Sequence, residues 1–313
     1  MKYSLGLLAL LTLLLATLTP ALTSDSIFGS TQNKSIDDTS KEKDHLIDRH
    51  IRIKPPSELV LTSSNVETRE VAVSKDQHSL PPSKTYTDPV TGMEFVFVEG
   101  GCYMMGSDAG YDSEKPVHEV CVDDFYIGKY EVTQNEYEKV TGVNPSRFKG
   151  SNLPVESVNW HDTQNYINRL KTLTGKSYRL PTEVEWEFAA CSGGKNEKWA
   201  GTASATSLDD YAWYRNNSSK HTHPVGQKRP NGLGLHDMSG NVWEWCSDWY
   251  GSSYYENSPR NNPQGPLSDM SKVKRGGSWG FSEDFVRVAS RSGLDPEYRS
   301  ANFGFRIAMS PTQ

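Results

Sequence analysis

Apolar and polar positions alternate in three short runs in the first part of the densely patterned region. Met93-Glu94-Phe95-Val96-Phe97-Val98 has strand character and is broken by Gly100-Gly101. Cys102-Tyr103-Met104-Met105 continues extended, and Val117-His118-Glu119-Val120-Cys121-Val122 alternates with a period of two. The last two runs are separated by a polar loop, Ser107 to Lys115, so they are expected to pair antiparallel and to bring Cys102 and Cys121 together. Three helix starts carry their own caps. Thr133-Gln134-Asn135-Glu136 and Thr182-Glu183-Val184-Glu185 have the Thr-x-x-Glu form, in which side chain and backbone satisfy each other at the first turn. Asn159 or Ser157 caps a third helix running to about Leu173. There Trp160, Gln164, Ile167 and Leu170 share a face and Gly175 is the stop. The helix after Thr182 is expected to end near Ala190.

Beyond Gly193 the periodicity fades, and Gly, Asn, Ser, Pro and Trp dominate. Trp199, Trp213, Trp243, Trp245, Trp249 and Trp279 nevertheless supply large apolar surfaces, so this half reads as packed and loop-rich, with few long elements. The opposite holds for residues 22–84, rich in Ser, Thr, Asp and Lys with Phe28 as their only aromatic before Tyr86. Such a stretch buries too little apolar surface to offset its ordering entropy and is expected to be a linker, with weak strand signals at Leu59–Leu61 and Val71–Val73. Ahead of it, Lys2, the apolar run Leu5–Leu18 and Thr19-Pro20-Ala21 have the form of a signal peptide over residues 1–21, with a mature start near Leu22. The run is shorter than the roughly 20 apolar residues of a comfortable membrane span; retention as an anchor is the alternative. No membrane span is expected after cleavage, and the folded domain is expected over residues 85–313.

The 33 basic and 39 acidic side chains give a net charge of -6 in 313 residues. A diffuse acidic excess repels phosphate backbones, which argues against a nucleic-acid partner. The four cysteines, Cys102, Cys121, Cys191 and Cys246, contain no CxxC pair, so a zinc ribbon is unsupported. In an exported chain an even count suggests disulfides; Cys191 with Cys246 is a weaker pairing than Cys102 with Cys121.

Eight short stretches in order then carry a resemblance. They are Gly100-Gly101-Cys102-Tyr103-Met104-Met105-Gly106, Tyr130-Glu131-Val132-Thr133, Pro154-Val155-Glu156-Ser157-Val158 and Tyr178-Arg179-Leu180-Pro181-Thr182-Glu183-Val184-Glu185-Trp186-Glu187. After them come Pro230-Asn231-Gly232-Leu233-Gly234-Leu235, Gly240-Asn241-Val242-Trp243-Glu244-Trp245, Arg275-Gly276-Gly277-Ser278-Trp279 and Asn302-Phe303-Gly304-Phe305-Arg306. Together they resemble the sulfatase-modifying-factor, or formylglycine-generating-enzyme, family from about Thr91 to Met309. The resemblance implies an α+β fold, irregular, loop-rich and C-type-lectin-like.

It also implies a departure. The family's formylglycine generators bind copper through two cysteines shortly after Gly-Gly-Ser, since soft thiolates suit Cu(I). Here Gly276-Gly277-Ser278 is followed by Trp279-Gly280-Phe281-Ser282-Glu283-Asp284-Phe285-Val286, and no Cys occurs after Cys246. The first copper position falls near Phe281 and the second between Glu283 and Val286, so no copper is expected. By resemblance Ser278 matches the family's active-site serine, while Trp243, Arg291 and Asn302 match residues lining its cleft. Core packing for Trp243 and pairing of Arg291 with a carboxylate such as Asp295 are the alternatives. Asp237, the carbonyls of Gly240 and Val242, and Glu244 match a calcium loop, with Asp237 in place of an amide. Calcium takes six to eight hard oxygen ligands, so the donor chemistry suits it. His221 and His223 form a His-x-His pair without a third ligand nearby and read as a solvated loop. The functional expectation is a secreted or periplasmic, calcium-stabilised binding or assembly module. Its partner would be an envelope protein, peptide or small molecule. The alternative is a periplasmic oxidoreductase with a cysteine-independent mechanism. A serine hydrolase is disfavoured, because Ser278 lies in no Gly-x-Ser-x-Gly elbow.

Overall fold

The computed structural model describes residues 84–311. The expected signal peptide and the weak strands at Leu59–Leu61 and Val71–Val73 lie outside them, as does the linker up to residue 83. In chain order the elements are β1 (Thr85–Thr87), β2 (Glu94–Val98), β3 (Gly101–Met105), β4 (His118–Val122), β5 (Phe125–Gly128), α1 (Gln134–Thr141), α2 (Trp160–Thr174), α3 (Glu183–Ala190) and α4 (Leu208–Tyr211). They continue with β6 (Trp243–Trp249), β7 (Lys272–Arg275), β8 (Arg291–Leu294), β9 (Phe303–Gly304) and β10 (Ala308–Met309). This is an α+β fold with long irregular connections.

One sheet has the order β1-β2-β5-β10, so the end of the domain returns to pair with its beginning. A separate ribbon pairs β3 with β4 antiparallel, and its register sets Cys102 opposite Cys121, where they are disulfide-bonded. Cys191 and Cys246 are not bonded to each other; both are free and buried, so the weaker pairing is corrected.

The three expected helices, α1, α2 and α3, start at the expected caps. The Thr133 hydroxyl accepts from the Glu136 amide and the Glu136 carboxylate accepts from the Thr133 amide, and Thr182 and Glu185 repeat the exchange. Asn159, rather than Ser157, caps α2, with Asp162 closing the box. The buried face of α2 runs through Thr163, Tyr166, Ile167 and Leu170; Trp160 and Gln164 are only half-buried. The face is therefore rotated slightly from the expected one, because Tyr166 stacks on Tyr137 of α1 and meets Phe305 edge-on.

The third sheet, β8-β7-β6-β9, lies within the stretch where periodicity fades. Its central strand, Trp-Glu-Trp-Cys-Ser-Asp-Trp, is mostly buried along its length. Trp243 and Trp245 belong to the apolar cluster with Phe303 and Phe305, while Cys246 belongs to the cluster that packs α3. The polar residues between the tryptophans also face the interior, where each finds a partner. The Trp186 indole of α3 donates to Glu244, and the Glu183 amide donates to Asp248. Helix α3 is buried on nearly all sides as a result.

Peptide mapping without reduction should recover Cys102 linked to Cys121, while Cys191 and Cys246 alkylate only after unfolding. The Cys102→Ser chain should lose about 3 kcal/mol of stability, the loop-closure entropy of a short loop, measurable by denaturant titration.

Candidate functional site

Gly276 and Gly277 both have positive φ, 92° and 73°. At Gly277 a Cβ would lie 2.5 Å from the Val286 side chain and 2.6 Å from the Phe285 carbonyl oxygen, so only glycine fits this turn. The turn carries the chain from β7 to Ser278, whose hydroxyl donates to the Asn302 Oδ1 at 2.8 Å. The Asn302 carbonyl accepts from the Trp243 amide at 2.7 Å, and the Trp279 indole donates to the Ala301 carbonyl at 2.9 Å. Ser278, Asn302 and Trp243 are thus brought together at the junction of β6, β9 and the segment after β7.

Trp243 is buried and its indole N–H has no acceptor. Against its ring lies the Lys274 ammonium, 3.9 Å from the centroid, with Phe303 at 5.2 Å and Phe281 at 5.9 Å. Phe281 meets Trp243 edge-on at 5.7 Å between centroids. Burial pushes the Lys274 amine down to about 8. Composition and spacing do not single out Lys274 or Phe281; the run of non-thiol residues after Ser278 is the signal that points to this place.

Arg291 is engaged elsewhere. Its guanidinium grips Glu183 of α3 with two bonds of 2.7 Å, donates to the carbonyls of Ser113 and Gly251, and lies 4.2 Å from the Tyr255 ring centroid. Asp295 is not its partner; that carboxylate is exposed and accepts from the Glu297 amide. Beside this pair, Arg275 bonds Glu187 and the carbonyls of Val288, Ala289 and Ser290. Asp248 lies in the same buried region, and desolvation together with the Glu183 charge raises its carboxyl to about 7.

The loop matched to calcium runs through three positive-φ residues, Asp237, Gly240 and Asn241. Asp237 accepts from the Gly226 amide through Oδ2 at 2.7 Å, and its buried Oδ1 has no partner. Both Glu244 oxygens are taken, by the Arg306 fork at 2.6 and 2.7 Å and by the Trp186 indole. Glu131, from the Tyr-Glu-Val-Thr stretch, completes the cluster: it accepts from Asn241 at 2.6 Å and from the Val242 amide at 3.1 Å. Burial raises the Glu131 carboxyl and brings Asp237 up to about 6. Three buried carboxyl groups thus lie around one buried guanidinium, which is committed to Glu244. The orphaned Asp237 oxygen is a hard donor of the kind calcium takes, while Glu244 is already paired. Among the described residues no three His, Cys, Asp or Glu side chains are arranged to hold a metal, so carbonyl oxygens must supply part of any such site. The His221 and His223 rings lie 4.4 Å apart, but both bond loop carbonyls, and His223 is stacked on Trp213.

A cavity of about 990 Å³ opens on another side, between the loop after β3 and the segment after α3. Tyr103, Glu187, Cys191, Lys195, Asp284 and Arg287 are among its walls, and Ser278, Trp243, Arg291 and Asn302 are not. Burial raises the Cys191 thiol well above its ordinary value.

Residues 81–311 match the sulfatase-modifying factor enzyme 1-like domain. The chain is 30% identical to serine/threonine-protein kinase pkn1 of Chlamydia caviae over 90% of its own length, but it spans about half (51%) of that relative. Among solved structures it resembles Treponema denticola variable protein 1, with a TM-score of 0.69, 33% identity and coverage of 73% of this chain and 99% of that one. PvdO from Pseudomonas aeruginosa gives a TM-score of 0.63 and 28% identity, covering 74% and 100%.

The Asp248 environment predicts a pH dependence. Its carboxyl is raised from 3.8 to about 7, so the native state holds that proton more tightly than the unfolded chain. The stability this contributes is fully present below about pH 4 and is lost as the pH rises through 7. Melting curves from pH 4 to 8 should show the wild type losing stability with rising pH relative to Asp248→Asn, which keeps an acceptor for the Glu183 amide. Parallel curves would contradict the assignment.

Proposed function

This chain belongs to the sulfatase-modifying factor enzyme 1-like family, and on that premise we propose that it is a copper-independent member. It acts as a calcium-stabilised binding or assembly module of the cell envelope. The observation that carries the reading is the surroundings of Ser278. Where the family's copper thiolates would stand, the Phe281 ring packs edge-on against Trp243 beside an ammonium group. Such a setting offers no soft ligand and repels a cation. The two free cysteines are buried and their thiols are raised well above the ordinary range, so neither is available as a thiolate.

Calcium would be held by Asp237 through its orphaned Oδ1 and by the carbonyls of Gly240 and Val242; Glu244, whose two oxygens are held by Arg306 and Trp186, would have to exchange one of those partners to join them. Its charge would offset the buried acids and tie the loop to β6. Export through the leader at residues 1–21, and a disulfide-permissive compartment, belong to the same reading; the Cys102–Cys121 bond supports it. Among the described residues no helix is long and apolar enough to cross a membrane.

Two measurements test the proposal. Saturating calcium at a hundred times its dissociation constant adds about 2.7 kcal/mol. Melts in calcium and in chelator should therefore differ by several degrees, and Asp237→Ala should abolish the difference. Identical melts, with no metal copurifying, would remove the calcium site. Aerobic incubation of the copper-loaded protein with a sulfatase-motif cysteine peptide should leave the cysteine unchanged by mass spectrometry. Conversion to formylglycine would overturn the copper-independent reading.

A further inference from the structure

Strand β7 presents Lys272 and Lys274 on one face of its sheet, and the two differ in one respect. The Lys272 ammonium lies against Trp160 and Trp249 and donates to the Ser247 carbonyl at 2.8 Å. The Lys274 ammonium has only ring faces, those of Trp243, Phe281 and Phe303. Among the described residues no hydrogen bond or ion pair reaches it, and the residue is only 7% exposed. The neighbouring Trp243 indole N–H is buried without an acceptor, whereas the Lys274 ammonium is not among the fully buried groups and keeps contact with solvent. An ammonium group offers three donors and no acceptor, so losing most of its water without a protein acceptor is costly. Cation–π contact with three rings offsets part of that cost and leaves its donors free for an acceptor that comes from solvent.

We propose that Lys274 is the anchor of a carboxylate-binding subsite, in which the ligand's carboxylate pairs with the ammonium and its flat apolar body lies along the neighbouring aromatic rings. The rings available are Phe281, half-buried, and Tyr298, which is 52% exposed and meets Phe303 edge-on at 5.9 Å. The inference deepens the binding-module reading and rests on it, since it names the ligand class for the aromatic surface beside Ser278 and Trp243.

Among the described residues the charged groups of the neighbouring strands are engaged elsewhere, and Lys272, on the same face, is committed to the Ser247 carbonyl. On β6, Glu244 is turned to the other face and held by Arg306; on β7, Arg275 bonds Glu187; on β8, Arg291 is committed to Glu183. The contribution of β9 is the Phe303 ring. Burial alone shifts Lys274, to about 8. The ammonium is therefore largely present at pH 7 and largely lost at pH 9. A ligand that needs it should bind about tenfold more weakly at pH 9 than at pH 7, the ratio set by one proton with that pKa.

The test uses the full chain and fluorine NMR titration with 4-fluorophenylacetate, with 4-fluorophenylacetamide as the neutral control. A peptide ending in a fluorophenylalanine carboxylate, against its C-terminal amide, separates a free small acid from a chain terminus. The expected result is saturable binding of at least one acid, no binding of its amide, and the pH 7 to pH 9 loss. Lys274→Met should abolish binding. Lys274→Arg, whose guanidinium stays charged, should bind with no loss between pH 7 and pH 9, and it serves if the Met variant does not fold. Equal binding of acid and amide, binding unchanged in Lys274→Met, an equal pH loss in Lys274→Arg, or no binding of any acid would each overturn the proposal. None of these outcomes bears on the calcium or formylglycine measurements, so the two readings fail separately.

Discussion

A lattice of buried carboxylates and guanidinium groups is the constraint on which the rest of the molecule depends. Arg275, Arg291 and Arg306, all from the last part of the chain, reach Glu187 and Glu183 of α3 and Glu244 of β6. Other donors go to main-chain carbonyls, most of them in irregular segments: Val288, Ala289 and Ser290 for Arg275, whose Nε is left without a partner, Ser113 and Gly251 for Arg291, and Gly128 at the end of β5 with His236 for Arg306. A loop-rich fold buries carbonyl groups that no helix or sheet satisfies. Guanidinium forks, with five donors each, satisfy several at once while their charge is balanced by a carboxylate. Removing one partner leaves a buried, uncompensated charge, at a cost of roughly 3 to 5 kcal/mol. The short helix α3 is buried nearly all round because its acidic residues are the counterions.

Much of this was legible beforehand and some of it was not, for physical reasons. The three helices were readable because their caps are local: Thr133 with Glu136, and Thr182 with Glu185, interact within four residues. The ribbon was readable because β3 and β4 alternate and are joined by a short polar loop. The sheet around β6 was not readable, because Glu244 and Asp248 look like solvent-facing positions between tryptophans. Only their partners in α3 and Arg306 make them interior. Arg291 is matched to the cleft by resemblance, with a nearby carboxylate as the alternative; it does pair with a carboxylate, but not with Asp295. Its counterion Glu183 lies 108 residues away, a pairing that no local pattern carries. Glu131, 111 residues from the Val242 amide it holds, belongs to the same class.

That division bears on function. The resemblance implied a groove containing Ser278, Trp243, Asn302 and Arg291. The first three meet, while the arginine is spent on the framework. In the place of a soft metal site stands an aromatic enclosure around one amine, and in the place of an amide ligand stands Asp237 with an unused buried oxygen. The two proposed sites are of opposite sign: an anion at Lys274 and a cation at Asp237 would each give a partner to a group that has none in the protein, and a rigid scaffold that already positions such groups costs its occupant less to bind.

If the guanidinium–carboxylate lattice is the framework and Arg291 belongs to it, a double-mutant cycle on Glu183 and Arg291 will show it, read as unfolding free energy with Glu183→Gln, Arg291→Met and the double variant. Each single change should cost roughly 3 kcal/mol or more, and the double change should cost clearly less than the sum, because the second removes a charge the first had stranded. If Arg291→Met left stability unchanged, or the two costs simply added, the pair would not be a framework contact and Arg291 would return to the groove.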